Sequence, residues 1–428
     1  MSDGPQDGYE ITSPGRPRTL EVADGVYAYV QPDGTWWINN TGFVTGPQGV
    51  FSIDACSTER RTRAYLAAIG EITQAPVRTL VNTHHHGDHT FGNALFPTAT
   101  IVAHERARAE AIAFGPARDL PFWDNPDWGR LPLEPPFLTF TDEIALHAGD
   151  TRITVKHVGT AAHTTNDVLA WFPEQSVLFC GDLVFNGGTP FLLMGSVAGC
   201  VEALEKVVLA LGARTVVPGH GPVFEGTAPI EATLDYLRFV LDLAARGRAA
   251  GVPPLDAARD TDLGRFAGWP DAERIVGNLH RAYAELAGTP RGGPVDVLAA
   301  LADMVAYNGG KPLTCLALPG AREVKWHDVL HEVKWLERQR RCTARCRLKT
   351  SRLKTRSGQP TGPCRIASCT GRAARHRSSG PARSATPASP SRLRGCSARS
   401  PRARRSSRTR TSPRPGQRAS ARTSSSSW

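Results

Sequence analysis

His84-His85-His86-Gly87-Asp88-His89 follows directly on a β-forming run, Val77-Arg78-Thr79-Leu80-Val81-Asn82-Thr83. Read as His-x-His-x-Asp-His, the stretch carries four metal-binding side chains within six residues. Successive side chains of an extended segment point to opposite sides. His84 and His86 therefore share one side, and Asp88 and His89 are free to turn to another. One turn can then serve two adjacent metal positions, as a binuclear site requires. A chance run of surface histidines is the bland alternative, and the preceding strand, the Gly and the Asp-His pair argue against it.

Outward from this motif the chain alternates strands and helices. Strand-like runs precede it at 26–30, 36–44 and 50–54, and a helix is expected over 57–72 with Tyr65, Leu66, Ile69 and Ile72 on one stripe. A strand at 100–103 leads into a helix at 105–114. The Pro/Trp-rich connection 116–136 is too long for a plain linker and suits a binding loop or lid. A second strand-rich block spans 138–185, followed by a helix at 197–211 and a strand at 215–217. Two such halves predict an α/β fold of the αββα sandwich type, two sheets face to face with helices outside. The expected divisions are a loose arm (1–18), the sandwich (19–228), a helical extension (229–318), a short helix (319–340) and a disordered tail (341–428). The extension is read from Ile230, Leu234, Leu237, Leu241 and Ala244, and from Ile275, Leu279, Tyr283 and Leu286, each set at helical spacing.

The net charge of +11 averages two unlike regions. Residues 341–428 hold 23 Lys and Arg and no acidic residue, which leaves 28 basic against 40 acidic residues in the remainder. The tail has too few large apolar side chains to offset the entropy of ordering. Its composition is that of an incidental segment, as from a shifted reading frame, more than of a polyanion-binding arm. Met1–Asp7 has neither a basic start nor an apolar segment of a secretory signal, and no apolar run approaches the ~18–20 residues that cross a bilayer. Cys56, Cys180, Cys200 and Cys315 read as reduced core residues, and the five cysteines of the tail lack the scaffold of a zinc module. A cytoplasmic location is expected, with a small-molecule substrate as partner and neither membrane nor nucleic acid. His327 and His331 stand four apart, but Asp328 occupies the place where a zinc-protease helix needs Glu, so an amphipathic helix is the better reading.

Three further segments place a metal-type side chain at a strand end beside small residues. His163 follows the strand at 153–158, Asp182 closes the run 177–182, and His220 sits within Pro218-Gly219-His220-Gly221. His157, inside its strand, reads as structural. Each signal is weak alone, since a lone His or Asp near a strand end is ordinarily a satisfied structural residue. The ordered series of His84, His86, Asp88, His89, His163, Asp182 and His220 is strong.

That series resembles the metallo-β-lactamase-fold hydrolase superfamily over roughly residues 19–225. The resemblance implies that His84, His86 and His163 bind one zinc ion and Asp88, His89 and His220 a second, with Asp182 bridging the two. Imidazole and carboxylate donors suit two Zn2+, and the same set accommodates iron or manganese. His86 stands where diiron relatives carry Glu, which favours zinc. His85 falls between ligands, outside the set. Asp54, at a strand end, is expected to orient the metal loop by hydrogen bonds, with Asp167 as a weaker candidate for the same task.

A metal-bound hydroxide attacking an ester, thioester or lactone carbonyl is the implied chemistry, with Asp88 placed to orient it or pass its proton. The Asp182 carboxylate and the absence of a signal disfavour the drug-hydrolysing branch. Glyoxalase II-like thioesterases share the whole ligand set, although no basic cluster for glutathione is evident. The body also resembles actinomycete cyclase/thioesterases of aromatic polyketide pathways. A nuclease tethered by the basic tail is the reading from a different class, and the acidic body argues against a phosphate track. Trp36-Trp37 and the run 185–194 are candidates for a lipophilic pocket wall.

Overall fold

The computed structural model describes residues 16–31 and 34–317. The helix expected at 319–340, with His327 and His331, and the tail at 341–428 lie outside the described residues.

Two sheets form the centre of the molecule. The first has seven strands in the order β1 (Arg18–Ala23), β2 (Val26–Val30), β3 (Thr41–Gly46), β4 (Gly49–Ile53), β5 (Val77–Val81), β6 (Thr100–His104) and β7 (Leu138–Phe140). Strands β1 to β4 pair antiparallel, with tight turns between β1 and β2 and between β3 and β4, and β4 to β7 run parallel. Arg18, expected in the loose arm, already pairs with Val30. The second sheet has the spatial order β13 (Phe224–Glu225), β12 (Thr215–Val217), β11 (Val177–Phe179), β10 (Val168–Phe172), β9 (Thr151–His157) and β8 (Glu143–Ala148).

The period of two along each strand assigns neighbouring residues to different layers. Val44, Val81 and Val102 meet Val155, Ala170, Phe179 and Val217 between the sheets. One residue earlier, Phe43, Leu80 and Ile101 face outward onto Tyr65 and Ile69 of α1 (Glu59–Ile72). Leu169, Leu178 and Val216 face the opposite outer layer, which contains Leu204, Leu237 and Leu279. Both outer faces are thus covered by helices, which is the αββα sandwich. α1 starts where Thr58 accepts from the Arg61 N–H, an N-cap reinforced by Glu59 in the first turn. Ile72, expected on the buried stripe, is exposed at the last turn.

The remaining helices are α2 (Gly87–Thr90), α3 (Glu105–Phe114), α4 (Val197–Ala203), α5 (Ala228–Ala249), α6 (Pro254–Arg259), α7 (Arg274–Leu286) and α8 (Val297–Tyr307). The helix expected over 197–211 is α-helical only to Ala203. A π-helical turn at Leu204–Val208 and a tight turn at Leu209–Leu211 follow, and Gly212 in the left-handed region ends the segment. The strand expected over 36–44 begins only at Thr41. Before it, Ile38 N–H donates to Thr35 O and Trp37 adopts a positive φ of 67°, a turn that sends both tryptophans to the site instead of the sheet. Helices α5 to α8 share one continuous apolar cluster with the outer face of the second sheet. No helix among the described residues is long and apolar enough to cross a membrane.

Candidate metal centre

The motif lies where β5 ends and the chain changes from extended to helical. His86 is the last extended residue and Gly87 opens the single turn of α2, which carries Asp88 and His89. The two sides expected from strand alternation therefore arise from a change of conformation partway through the motif. His84 and His86 converge with His163 and Asp182, and Asp88 and His89 converge with Asp182 and His220. Within each group the ligand-type atoms lie within 4.8 Å of one another. All seven residues named from the sequence are brought together.

Asp182 is common to both groups. Its Oδ1 is 3.1 Å from His89 Nε2, and its Oδ2 is 3.1 Å from His220 Nε2, 3.4 Å from His163 Nε2 and 3.9 Å from His84 Nε2. It rides on a short turn after β11 rather than on the strand itself. Gly219 passes so close that a Cβ there would stand 1.9 Å from Asp182 Oδ1. Asp88 Oδ2 lies 3.3 Å from His220 Nε2 and 3.7 Å from His89 Nε2.

Four of the five imidazoles are held from behind by their Nδ1 atoms, which leaves Nε2 directed at the centre. His89 Nδ1 meets Asp54 Oδ2 at 2.8 Å, His163 Nδ1 meets Phe191 O at 2.5 Å, and His220 Nδ1 meets Gly34 O at 3.0 Å. His84 Nδ1 is 3.1 Å from Thr83 Oγ1. Asp54 also accepts from the Thr83 N–H and hydroxyl, both at 2.7 Å, and so ties the strand end to the motif as expected. It does so from a positive φ of 60°, an uncommon conformation for a residue with a side chain. Asp167, by contrast, touches no imidazole of the centre. It accepts from the Thr164 N–H and hydroxyl, both at 2.8 Å, and shapes the turn after β9. His85 is buried beside Glu110 and Asn166 and belongs to neither group, although its ring centroid is 4.7 Å from that of His86. His157 stacks on His104 with ring centroids 4.4 Å apart.

Burial and charge act against each other across the centre. Burial pushes His84 and His86 well below the ordinary imidazole range, and His163 down to about 4. His220 is lowered by burial but raised more by Asp182 and Asp88, to about 9. His89 is likewise desolvated, yet Asp182, Asp54 and Asp88 hold it well above its usual value. Burial raises Asp182, and the imidazoles of His220, His89, His163 and His84 outweigh it, so its carboxyl lies well below the usual carboxylate range.

The donor set fits divalent metal. His86 faces the centre with Nδ1, 2.8 Å from His163 Nε2, and Nε2 of His84, Nε2 of His89 and Oδ1 of Asp182 are buried there with no hydrogen-bond partner. A buried polar atom left in that state costs ~1–3 kcal/mol, a cost that a cation among these nitrogens and the shared carboxylate removes.

A cavity of about 410 Å³ opens beside the two groups and is bordered by His86, Asp88, His163, Asp182 and His220. Its walls are chiefly aromatic: Trp36, Trp37, Phe122, Trp123, Phe185 and Phe191. Both lipophilic segments singled out from the sequence contribute. So does the long connection 116–136, through Phe122 and Trp123, and so does α8, through Leu298 and Leu301. Sequence reasoning placed Phe191 in the pocket wall but missed the role of its backbone carbonyl, and it missed Gly34, which also acts through its carbonyl, and Arg274, which lines the cavity with its guanidinium 4.1 Å from the Trp36 ring. A buried arginine among the apolar positions of α7 was the available signal.

Residues 34–220 match the metallo-beta-lactamase superfamily. Over 232 residues the chain is 31% identical to a hydroxyacylglutathione hydrolase of Rhodospirillum rubrum, spanning 51% of this chain and 76% of that one. It is 27% identical over 225 residues to the 2,4-dinitroanisole O-demethylase subunit alpha of Nocardioides sp., with 51% and 61% covered. An acyl-coenzyme A thioesterase of Bos taurus is 25% identical over 240 residues, with 48% and 84% covered. The sandwich, the two His/Asp groups sharing one carboxylate and these relatives agree: the chain belongs to the metallo-β-lactamase superfamily and is a hydrolase of that fold.

Proposed function

We propose that this protein is a binuclear zinc hydrolase that cleaves the ester, thioester or lactone carbonyl of a small lipophilic substrate. The observation that carries the reading is Asp182, shared by two complete donor groups at the edge of an aromatic cavity. His84, His86 and His163 would hold one ion, Asp88, His89 and His220 the other, and Asp182 both. When bound, such ions supply a water of lowered pKa and polarise a carbonyl oxygen.

The chain's own contribution is positional and acid–base. Asp54, Phe191 O and Gly34 O fix the rings of His89, His163 and His220 so that Nε2 of each faces the centre. Asp88, which lines the cavity, is placed to take the proton released as water adds to the carbonyl carbon and to return it to the departing sulfur or oxygen. The aromatic walls exclude water and favour a planar or branched apolar acyl group. Free and buried, Cys56, Cys180, Cys200 and Cys315 suit a reducing cytoplasm.

The test is a hydrolysis screen of the metal-loaded full chain. It covers glutathione and coenzyme A thioesters, aryl esters, lactones, an aryl methyl ether, a chromogenic lactam and a phosphodiester. Highest kcat/KM on an aryl or long-chain thioester or ester is expected; a clear preference for the phosphodiester or the lactam would overturn the reading. Elemental analysis gives the parallel check on the ligands. His86→Ala should lose about one ion per chain and most activity, and Asp182→Ala should weaken retention of both ions. Wild-type metal content in both variants would sink the assignment.

A further inference from the structure

Helix α7 carries three buried polar side chains on an otherwise apolar face. Arg274, Asn278 and Arg281 stand at i, i+4 and i+7, along one side of the helix, and none is more than 1% exposed. All three address the same backbone, residues 189–193. Arg274 Nη1 donates to Thr189 O at 2.8 Å, and Asn278 Nδ2 donates to Pro190 O at 2.8 Å. Asn278 Oδ1 accepts from Leu192 N–H at 2.7 Å. Arg281 donates to Leu193 O from both Nε, at 2.9 Å, and Nη2, at 2.7 Å.

Helix α7 leaves two carbonyls of this series free: Leu192 O accepts from the Gly195 N–H, and Phe191 O meets His163 Nδ1 at 2.5 Å. Phe191 C=O and Leu192 N–H belong to one planar peptide group, so a bond that fixes the N–H also fixes the carbonyl. Hydrogen bonds through such a group polarise one another, and donation from Leu192 N–H to Asn278 makes Phe191 O a better acceptor. A continuous path therefore runs from Asn278 Oδ1, through the Phe191–Leu192 peptide, to the imidazole of His163. Asn278 Nδ2 grips the preceding peptide as well, so the group is held from both sides.

We infer that α7, with Asn278 at its centre, is a positioning element for His163 that sets the direction and tautomer of its ring. The inference rests on the metal-centre reading above. It makes a helix outside the residues matched to the superfamily part of the working site. If the three side chains merely tied α7 to the sandwich, their loss would lower stability and do nothing specific to metal.

The discriminating experiment is stepwise cobalt(II) titration of the full chain, with its visible spectrum, for wild type, Asn278→Ala, Asn278→Asp and Leu279→Ala. Leu279 is fully buried on the same helix, and its side chain makes no polar contact with residues 189–193. Wild type should take up two ions. Asn278→Ala should bind one of them about tenfold or more weakly, in the range set by lost outer partners of metal-ligating histidines, with an altered spectrum and the other ion unaffected. Asn278→Asp, which keeps an acceptor for Leu192 N–H, should recover most of that loss. Leu279→Ala should melt earlier yet keep both affinities and the wild-type spectrum. If Asn278→Ala does not fold, Arg281→Lys carries the same comparison with a smaller expected loss. Wild-type affinities and spectrum in the Asn278 or Arg281 variants overturn the inference, as does a Leu279→Ala variant that loses one ion in the same way. A wild-type chain that takes up no divalent ion overturns the functional reading instead.

Discussion

Asp182 can face five imidazoles and a second carboxylate because the strand end opposite it carries no side chain at Gly219. Gly219→Ala would set a methyl 1.9 Å from Asp182 Oδ1 and crowd the Gly181 backbone. The expected result is a folded protein destabilised by ~1–3 kcal/mol, the usual range for overpacking, with weakened metal retention that elemental analysis after dialysis would register. Asp54→Ala removes three hydrogen bonds at once and should cost ~10–100-fold in metal affinity, read by chelator competition. Asp167 offers a pH test. Burial raises its carboxyl to about 7, although Thr164 bonds oppose the shift. The folded protein therefore holds a proton that the unfolded chain sheds above its ordinary value of 3.8. That stability is full below about pH 4 and is lost as pH rises to about 7, at up to ~1.4 kcal/mol per unit. Asp167→Asn mimics the protonated form, so wild type should lose melting temperature relative to the variant between pH 5 and 7, and the gap should then level off. The seven donor side chains that converge and Asp54 were legible in the sequence because metal chemistry demands particular side chains at strand ends. Asp167 was misread because an Asp near a ligand in sequence can equally serve a local turn.

At the scale of elements, the connection 116–136 shows what a pattern of apolar residues conveys and omits. Its length and tryptophans pointed to a binding loop, and its Phe122 and Trp123 form cavity wall while Trp128 packs beneath Trp37. That it is stitched to the far end of the described chain had no sequence signal: Leu313 N–H donates to Phe122 O, and Asp124 N–H donates to Leu313 O. Trp123→Ala should raise KM for aryl substrates several-fold with a smaller change in kcat, and leave a short-chain acyl substrate almost unaffected. Equal loss on both substrates in steady-state kinetics would show that the residue only supports the fold. The segment 36–40 was misread as strand because tryptophans and Ile38 favour a pleated surface as readily as a pocket turn. The right answer depended on Gly34 and Thr35 bending the chain, and on the positive φ at Trp37.

For the whole molecule, the apolar cluster that joins the second sheet to α5, α7 and α8 is continuous, so the helical region and the sandwich should unfold together. A chain ending at residue 340 is expected to melt within a degree or two of the full chain, in one transition by calorimetry. A large drop would mean that residues 341–428 contribute to the core, against their composition. The sequence by itself determined the sandwich, through strands whose alternate residues suit two different layers, and the inventory of the centre, through seven side chains that are metal donors wherever they lie. Tertiary structure alone decided that Asp182 reaches both groups, that Phe191 and Gly34 orient imidazoles through their carbonyls, and that α7 stands behind His163. Backbone carbonyls are the same in every residue, so no sequence pattern marks the ones that work. Residues 163 and 278 meet through two intervening hydrogen bonds, and only the packing of α7 on segment 189–193 makes that path exist.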